Sequence, residues 1–116
     1  MSAKWDIDAW VDRMATSAVT AFYPSLPSKV LNLPINEVVE RLIWLACDNR
    51  LRYLLEIRCP ECSSTIKRFL GGLENAPFMV RCSHCGFEDE FEFEMAIPLF
   101  EIVPDYRETV KKKIFH

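Results

Sequence analysis

Apolar residues recur along this chain at two different periods, and the period changes near residue 50. From Trp5 to Tyr23, the residues Ile7, Trp10, Val11, Met14, Ala18, Ala21 and Phe22 fall three and four apart, which places them on one face of a helix. Asp8, Asp12, Arg13, Thr16, Ser17 and Thr20 take the other face, Asp6 or Asp8 suits the first turn, and Pro24 is expected to end it. A short second helix is predicted from Ser25 as cap, with Pro27 in its first turn. The chain must then reverse at Asn32, a residue that tolerates the left-handed region. Pro34 opens a third helix, Ile35 to about Asn49, with Ile35, Val38, Val39, Leu42, Leu45 and Ala46 as its apolar stripe. Glu37, Glu40, Arg41, Trp44 and Asp48 form the opposite face.

After Arg50 the period is two. Leu51, Tyr53, Leu55 and Ile57 alternate with Arg52, Glu56 and Arg58, predicting a strand with one buried side, and Leu54 breaks the pattern. Further strands are predicted from Thr65 to Leu70 and from Phe78 to Arg81, separated by the Gly71-Gly72 turn and a loop to Pro77. Glu90 to Ile97 alternates strictly, with Phe91, Phe93, Met95 and Ile97 on one face and Glu90, Glu92 and Glu94 on the other. The aromatic face of that strand is expected to close a core shared by both halves. A last strand, Leu99 to Val103, leads to a tail from Asp105 expected to form a short helix. Asp105 and Glu108 have capping-box spacing, and Lys111, Lys112 and Lys113 suit its C-terminus. The pattern reads as an α+β chain in three segments: 1–58 helical, 59–104 β-rich, and 105–116 the tail.

Length and composition narrow this further. At 116 residues, 50% hydrophobic and 27% charged, the chain suits one compact domain or two very small ones, not a disordered segment. No apolar run approaches the ~18 residues of a membrane span. Met1 to Asp12 lacks the basic-then-apolar plan of a secretion signal, so the expected compartment is the cytoplasm. The net charge is −3, and neither half has the basic excess that phosphate binding usually demands. That counts against nucleic acid without excluding it.

Four of the five cysteines form two pairs of Cys-x-x-Cys spacing, Cys59 with Cys62 and Cys82 with Cys85. Two cysteines two residues apart can reach one ion from a tight turn, and Zn²⁺ prefers four such ligands in a tetrahedron. Pro60 stiffens the first turn, and Gly86 frees the backbone after the second. The double spacing predicts one structural Zn²⁺ held by Cys59, Cys62, Cys82 and Cys85, with iron in the same cage as the alternative. Four sulfurs leave no open position, so the ion is structural rather than catalytic. His84 is then a solvent-facing or neighbouring group rather than a ligand, and Cys47 a half-buried core thiol. No catalytic constellation stands out: His84 and His116 are not placed as general bases, and Gly71-Gly72 is a turn rather than a phosphate cradle. The expectation is a non-enzyme.

The order helix, short helix, reversal, helix, strand looks like a winged helix-turn-helix, and the run Leu31 to Leu42 is similar to its turn and second helix. Followed at once by Cys59-Pro60-Glu61-Cys62, roughly residues 24–95 resemble the winged-helix plus zinc-ribbon proteins. These include transcription factor E alpha-type domains and small bacterial accessory proteins. The resemblance implies an N-terminal winged helix packed on an all-β ribbon, and either DNA binding or docking onto another protein. A DNA-reading helix offers Arg, Lys, Asn or Gln to bases. Here the corresponding face is Glu37, Glu40, Arg41, Trp44 and Asp48, which favours an adaptor that docks a larger protein partner, as in bacterial defence-type multi-protein systems. The acidic edge Glu90, Glu92 and Glu94 is a second candidate partner surface. The alternative is a DNA-binding transcription regulator using a patch at Arg50, Arg52, Arg58, Lys67 and Arg68.

Overall fold

In the computed structural model, which describes residues 3–114, the first helix α1 spans Ala3–Ala15 and stops well short of Tyr23. Two hydroxyl side chains end it. Thr16 Oγ1 donates to the Arg13 carbonyl at 2.8 Å, and Ser17 Oγ donates to the Met14 carbonyl at 2.7 Å while accepting from the Val19 N–H at 3.1 Å. Such local bonds compete with the helix ladder. Ala21 and Phe22, expected on the helical face, instead form the short strand β1 (Ala21–Phe22).

Helices α2 (Ser25–Leu31) and α3 (Ile35–Cys47) close in the same way, each through an asparagine in the left-handed region: Asn32 at φ 54° and Asn49 at φ 63°. The N–H of Asn32 bonds Lys29 O (3.3 Å) and that of Leu33 bonds Ser28 O (3.0 Å); after α3, Asn49 bonds Ala46 O (3.1 Å) and Arg50 bonds Leu45 O (3.1 Å). This is the paired closure in which a left-handed residue lets two successive N–H groups satisfy the last carbonyls. Ser28 Oγ adds a bond to Leu33 O at 2.7 Å, fixing the reversal. Ser25 is the first residue of α2 and not its cap; Pro24 holds that position with no side-chain bond.

The remaining elements are β2 (Leu51–Arg58), β3 (Thr65–Leu70), β4 (Met79–Arg81), β5 (Glu88–Glu90), β6 (Ala96–Ile102) and α4 (Pro104–Ile114), with single 3-10 turns at Leu73–Asn75 and Phe93–Met95. Antiparallel pairing is seen for β1 with β6, β2 with β3 and β4 with β5. The strands make a four-stranded sheet of order β1-β6-β2-β3 and a separate β4-β5 pair. The fold is α+β.

The chain divides into two compact units, and one of them is discontinuous: residues 1–53 with 100–116, and residues 54–99. The first is the helical unit. Its core gathers Ile7, Trp10, Val11, Val38, Leu42, Leu45, Leu51 and Ile102 about a run of rings. Trp10 meets Phe22 edge-on at 4.8 Å, Phe22 stacks on Phe100 at 6.3 Å, and Phe100 on Tyr53 at 5.2 Å. Tyr53 and Phe100 are the residues at which the chain leaves and re-enters this unit, so its two openings lie side by side. Helix α4 fastens the end of α1: Arg107 donates to the carbonyls of Ala15, Ser17 and Val19, and the Tyr106 hydroxyl to Asp12. Burial and that bond to Asp12 raise the Tyr106 pKa above its ordinary value.

The second unit, the cysteine unit, contains Cys59, Cys62, Cys82 and Cys85 and departs from the expected pattern twice. Glu56, predicted on the solvent side of β2, is fully buried. Its carboxylate accepts from Arg58 Nε and Arg68 Nε, both at 2.8 Å, and Arg68 stands directly opposite it on β3. A buried charge is tolerated when paired in this way. The strand predicted from Glu90 to Ile97 is also absent. β5 ends at Glu90, and a bond from the Met95 N–H to Glu92 O (2.9 Å) turns the chain before β6 begins. The expected aromatic face is therefore broken up. Phe91 meets Phe69 edge-on at 6.4 Å and Met95 is buried, whereas Phe93 is 67% exposed.

These placements set opposite outcomes for two phenylalanines. Phe100→Ala should cost about 3–5 kcal/mol in urea melts, the scale for a buried ring. Phe93→Ala should stay within about 0.5 kcal/mol of the parent, as for exposed sites.

Candidate metal centre

Two loops of the cysteine unit have the same local construction. In the first, the Ser63 N–H bonds Cys59 O at 2.9 Å and the Cys59 N–H bonds Ser64 O at 2.9 Å. In the second, the Gly86 N–H bonds Cys82 O at 2.9 Å and the Cys82 N–H bonds Phe87 O at 2.8 Å. Each loop places its fifth residue at positive φ, Ser63 at 64° and Gly86 at 83°. Glycine reaches that region without penalty, and serine does so at a cost. The role of Ser63 was legible only by laying one loop over the other, since Ser63 follows Cys62 as Gly86 follows Cys85.

The four sulfurs of Cys59, Cys62, Cys82 and Cys85 lie within 4.8 Å of one another. Cys59 Sγ is 3.5 Å from Cys85 Sγ, and Cys62 Sγ is 3.6 Å from Cys82 Sγ. Those separations are far beyond a disulfide bond of about 2.05 Å. A tetrahedron of sulfurs about 2.3 Å from a zinc ion has edges of about 3.8 Å, so the set fits that ion's geometry. Cys59 and Cys82 are buried, Cys62 is half-buried and Cys85 is exposed. His84, between the second pair, is exposed.

Electrostatics favour a cation here. The Ser64 side chain and backbone lower the Cys62 thiol to about 6, so it is largely ionised at neutral pH. The Phe87 backbone works to lower Cys85 as well, but desolvation and the neighbouring cysteines outweigh it and push that thiol up to about 12. Without a cation the cluster therefore holds some of its protons. A divalent ion lets all four thiols ionise, and the released protons couple its affinity to pH.

The candidate partner residues are spread over separate surfaces. On the helical unit, Lys4, Ile7, Glu37, Glu40, Arg41 and Trp44 line a shallow cleft of about 340 Å³. Arg41 is bound bidentately by Asp8 (2.9 and 2.7 Å) and its guanidinium lies 4.1 Å from the centre of the Trp44 ring. The Asp8 bond raises the Arg41 pKa. Trp44 itself is 50% exposed. Asp48 pairs with Arg50 at 2.8 Å, at the far end of α3. Cys47, expected in the core, is exposed, because the buried stripe of α3 is Val38, Leu42 and Leu45 and Cys47 lies beyond its edge. Ile35, also expected in that stripe, is exposed as well.

The acidic edge is not a single face. Asp89 and Glu90 are adjacent on β5 and so point to opposite sides, with Glu90 opposite Met79 and Asp89 opposite Val80. Glu92 and Glu94 line a cleft together with Asp89, whereas Glu90 does not. Of the basic patch, Arg50 pairs with Asp48, Arg52 with Glu101, and Arg58 and Arg68 with Glu56, while Lys67 is exposed. His116 lies outside the described residues. No helix among them is long and apolar enough to cross a membrane.

No protein family, curated protein or solved structure gives a significant match to this chain.

Purified protein should carry one zinc or iron ion per chain by elemental analysis. Chelation, or Cys82→Ser, should abolish amide-exchange protection across residues 54–99. Metal affinity should weaken as pH falls from about 8 toward 6, because protons compete for the thiolates, with proton release seen by calorimetry in buffers of different ionisation enthalpy. Gly86→Ala meets no neighbouring atom, so only its positive φ is penalised. It should destabilise the metal-loaded protein by about 1–2 kcal/mol in thermal melts.

Proposed function

We propose that this chain is a winged-helix and zinc-ribbon module acting as a non-enzymatic adaptor that docks a larger protein partner. The order α1, α2, reversal at Asn32, α3, β2 supports the winged-helix reading, and the four-sulfur cluster supports the ribbon. In that arrangement the cysteine unit replaces the turn joining β2 to β6, where a winged helix carries its wing.

The observation that carries the adaptor role is the outward surface of α3. Asn36, Glu37, Glu40, Ile43, Trp44 and Cys47 are exposed there, while its one basic side chain, Arg41, is held by Asp8. Acidic groups repel phosphates, and exposed tryptophan is a frequent anchor of protein interfaces. The arginines of the nucleic-acid alternative are drawn into ion pairs with Asp48, Glu101 and Glu56, which lowers the positive field they offer to a duplex. Zinc in this reading is structural, and Cys59, Cys62, Cys82 and Cys85 hold it.

The test uses metal-loaded full-length protein as bait in cross-linked capture from cells, beside heparin retention and gel shifts on duplex DNA at physiological salt. A stoichiometric protein partner, lost on Trp44→Ala with the melting temperature unchanged, is the expected result. Tight sequence-selective duplex binding that disappears in an Arg52→Ala, Lys67→Ala double variant overturns the adaptor role in favour of a DNA-binding regulator.

A further inference from the structure

The cysteine unit contains a cleft of about 360 Å³ whose walls differ in chemistry. Met95 and Ile97 contribute apolar surface beside Pro60 and Phe87, and Asp89, Glu92 and Glu94 supply three carboxylates. The only basic side chain among its described lining residues is Arg58, and that guanidinium is bound at 2.8 Å by the buried Glu56 carboxylate. The local charge is therefore negative, beside apolar surface that water solvates poorly. Arg and Lys match both properties, because their methylene stems lie along apolar surface while the charged head reaches polar groups.

We propose that this cleft is the docking site for a basic, aliphatic-flanked segment of the protein partner, with an Arg or Lys side chain laid over Met95 and Ile97 and its charge met by Asp89, Glu92 and Glu94. The inference rests on the adaptor reading and names the partner's chemistry. Charge complementarity selects a cationic occupant, the apolar surface selects one with hydrocarbon beside the charge, and a polyanion such as nucleic acid is repelled. Cys59 and Pro60 of the first cysteine loop are also among its lining residues.

The test titrates metal-loaded full-length protein with two fluorescein-labelled octapeptides, one alternating Leu and Arg and the other alternating Ser and Arg, and reads fluorescence anisotropy. The Leu-Arg peptide should bind at least about fivefold more tightly than the Ser-Arg peptide. A Glu92→Gln, Glu94→Gln double variant should weaken it at least about tenfold and flatten its salt dependence, with metal content and melting temperature retained, since both residues are exposed. Ile97→Asp should abolish the preference for leucine. Equal binding of the two peptides, or affinity unchanged in the double variant, overturns the docking site, as does equal competition by free spermidine, which marks a general cation sink. A captured partner that still binds the double variant as the parent does would sink this cleft and leave the adaptor role standing. Tight sequence-selective duplex binding at physiological salt, lost in the Arg52→Ala, Lys67→Ala variant, would sink the adaptor role itself.

Discussion

Four sulfur atoms within 4.8 Å of one another set the terms for the cysteine unit. If all four ionise without a counter-charge they repel, and if they keep their protons they are only a small patch of polarisable surface. A divalent cation resolves that conflict and converts repulsion into four strong bonds. The unit has little else to rely on. Beyond Cys59 and Cys82, its buried positions among the described residues are Leu55, Glu56, Ile57, Phe69, Val80, Met95 and Leu99, and one of those is a carboxylate. Small modules with so few apolar anchors generally need a metal or cross-link. The helical unit is built on the opposite plan, with an apolar cluster and stacked rings.

Polar groups in both units are paired locally, and this shapes the surface left for partners. Glu56 is buried between Arg58 and Arg68, Arg41 is held by Asp8 against Trp44, and Arg107 is occupied with the carbonyls that follow α1. Among the described residues no buried side-chain nitrogen or oxygen lacks a partner. Much of the arginine charge is thus internal in effect. The carboxylates of Glu37, Glu40, Glu92 and Glu94 are exposed by comparison, which leaves the surface around them negative.

Several features could be read directly from the residues. Asn32 announced the reversal between α2 and α3, the double Cys-x-x-Cys spacing announced the sulfur cluster, and β3 from Thr65 to Leu70 agrees with its prediction. Two of the failures share one cause: periodicity reports which residues could share a face, and local bonds decide where an element stops. Thr16 and Ser17 end α1 through their hydroxyls although Ala18, Ala21 and Phe22 keep the helical spacing. Glu90 to Ile97 alternates as a strand should, yet the 3-10 turn at Phe93–Met95 interrupts it and exposes Phe93. Glu56 obeys alternation by charge but is buried, because its partners Arg58 and Arg68 come from a neighbouring position and a neighbouring strand. Pairing across strands is not written in any single window of sequence. The discontinuous helical unit is likewise invisible to a reading that moves along the chain segment by segment.

That discontinuity imposes an order of events during synthesis. Domains tend to fold as units as the chain emerges from the ribosome. Residues 54–99 are contiguous and are made before residues 100–116, which carry Phe100, Ile102, Arg107 and Val110. The cysteine loops therefore leave the ribosome while the helical unit still lacks the ring that stacks on Tyr53 and the arginine that caps the chain after α1. Closure of the cysteine unit can precede that of the helical core, which lacks Phe100, Ile102 and Val110 until residues 100–116 have emerged. A nascent chain starved of metal would then leave both units unfinished at once.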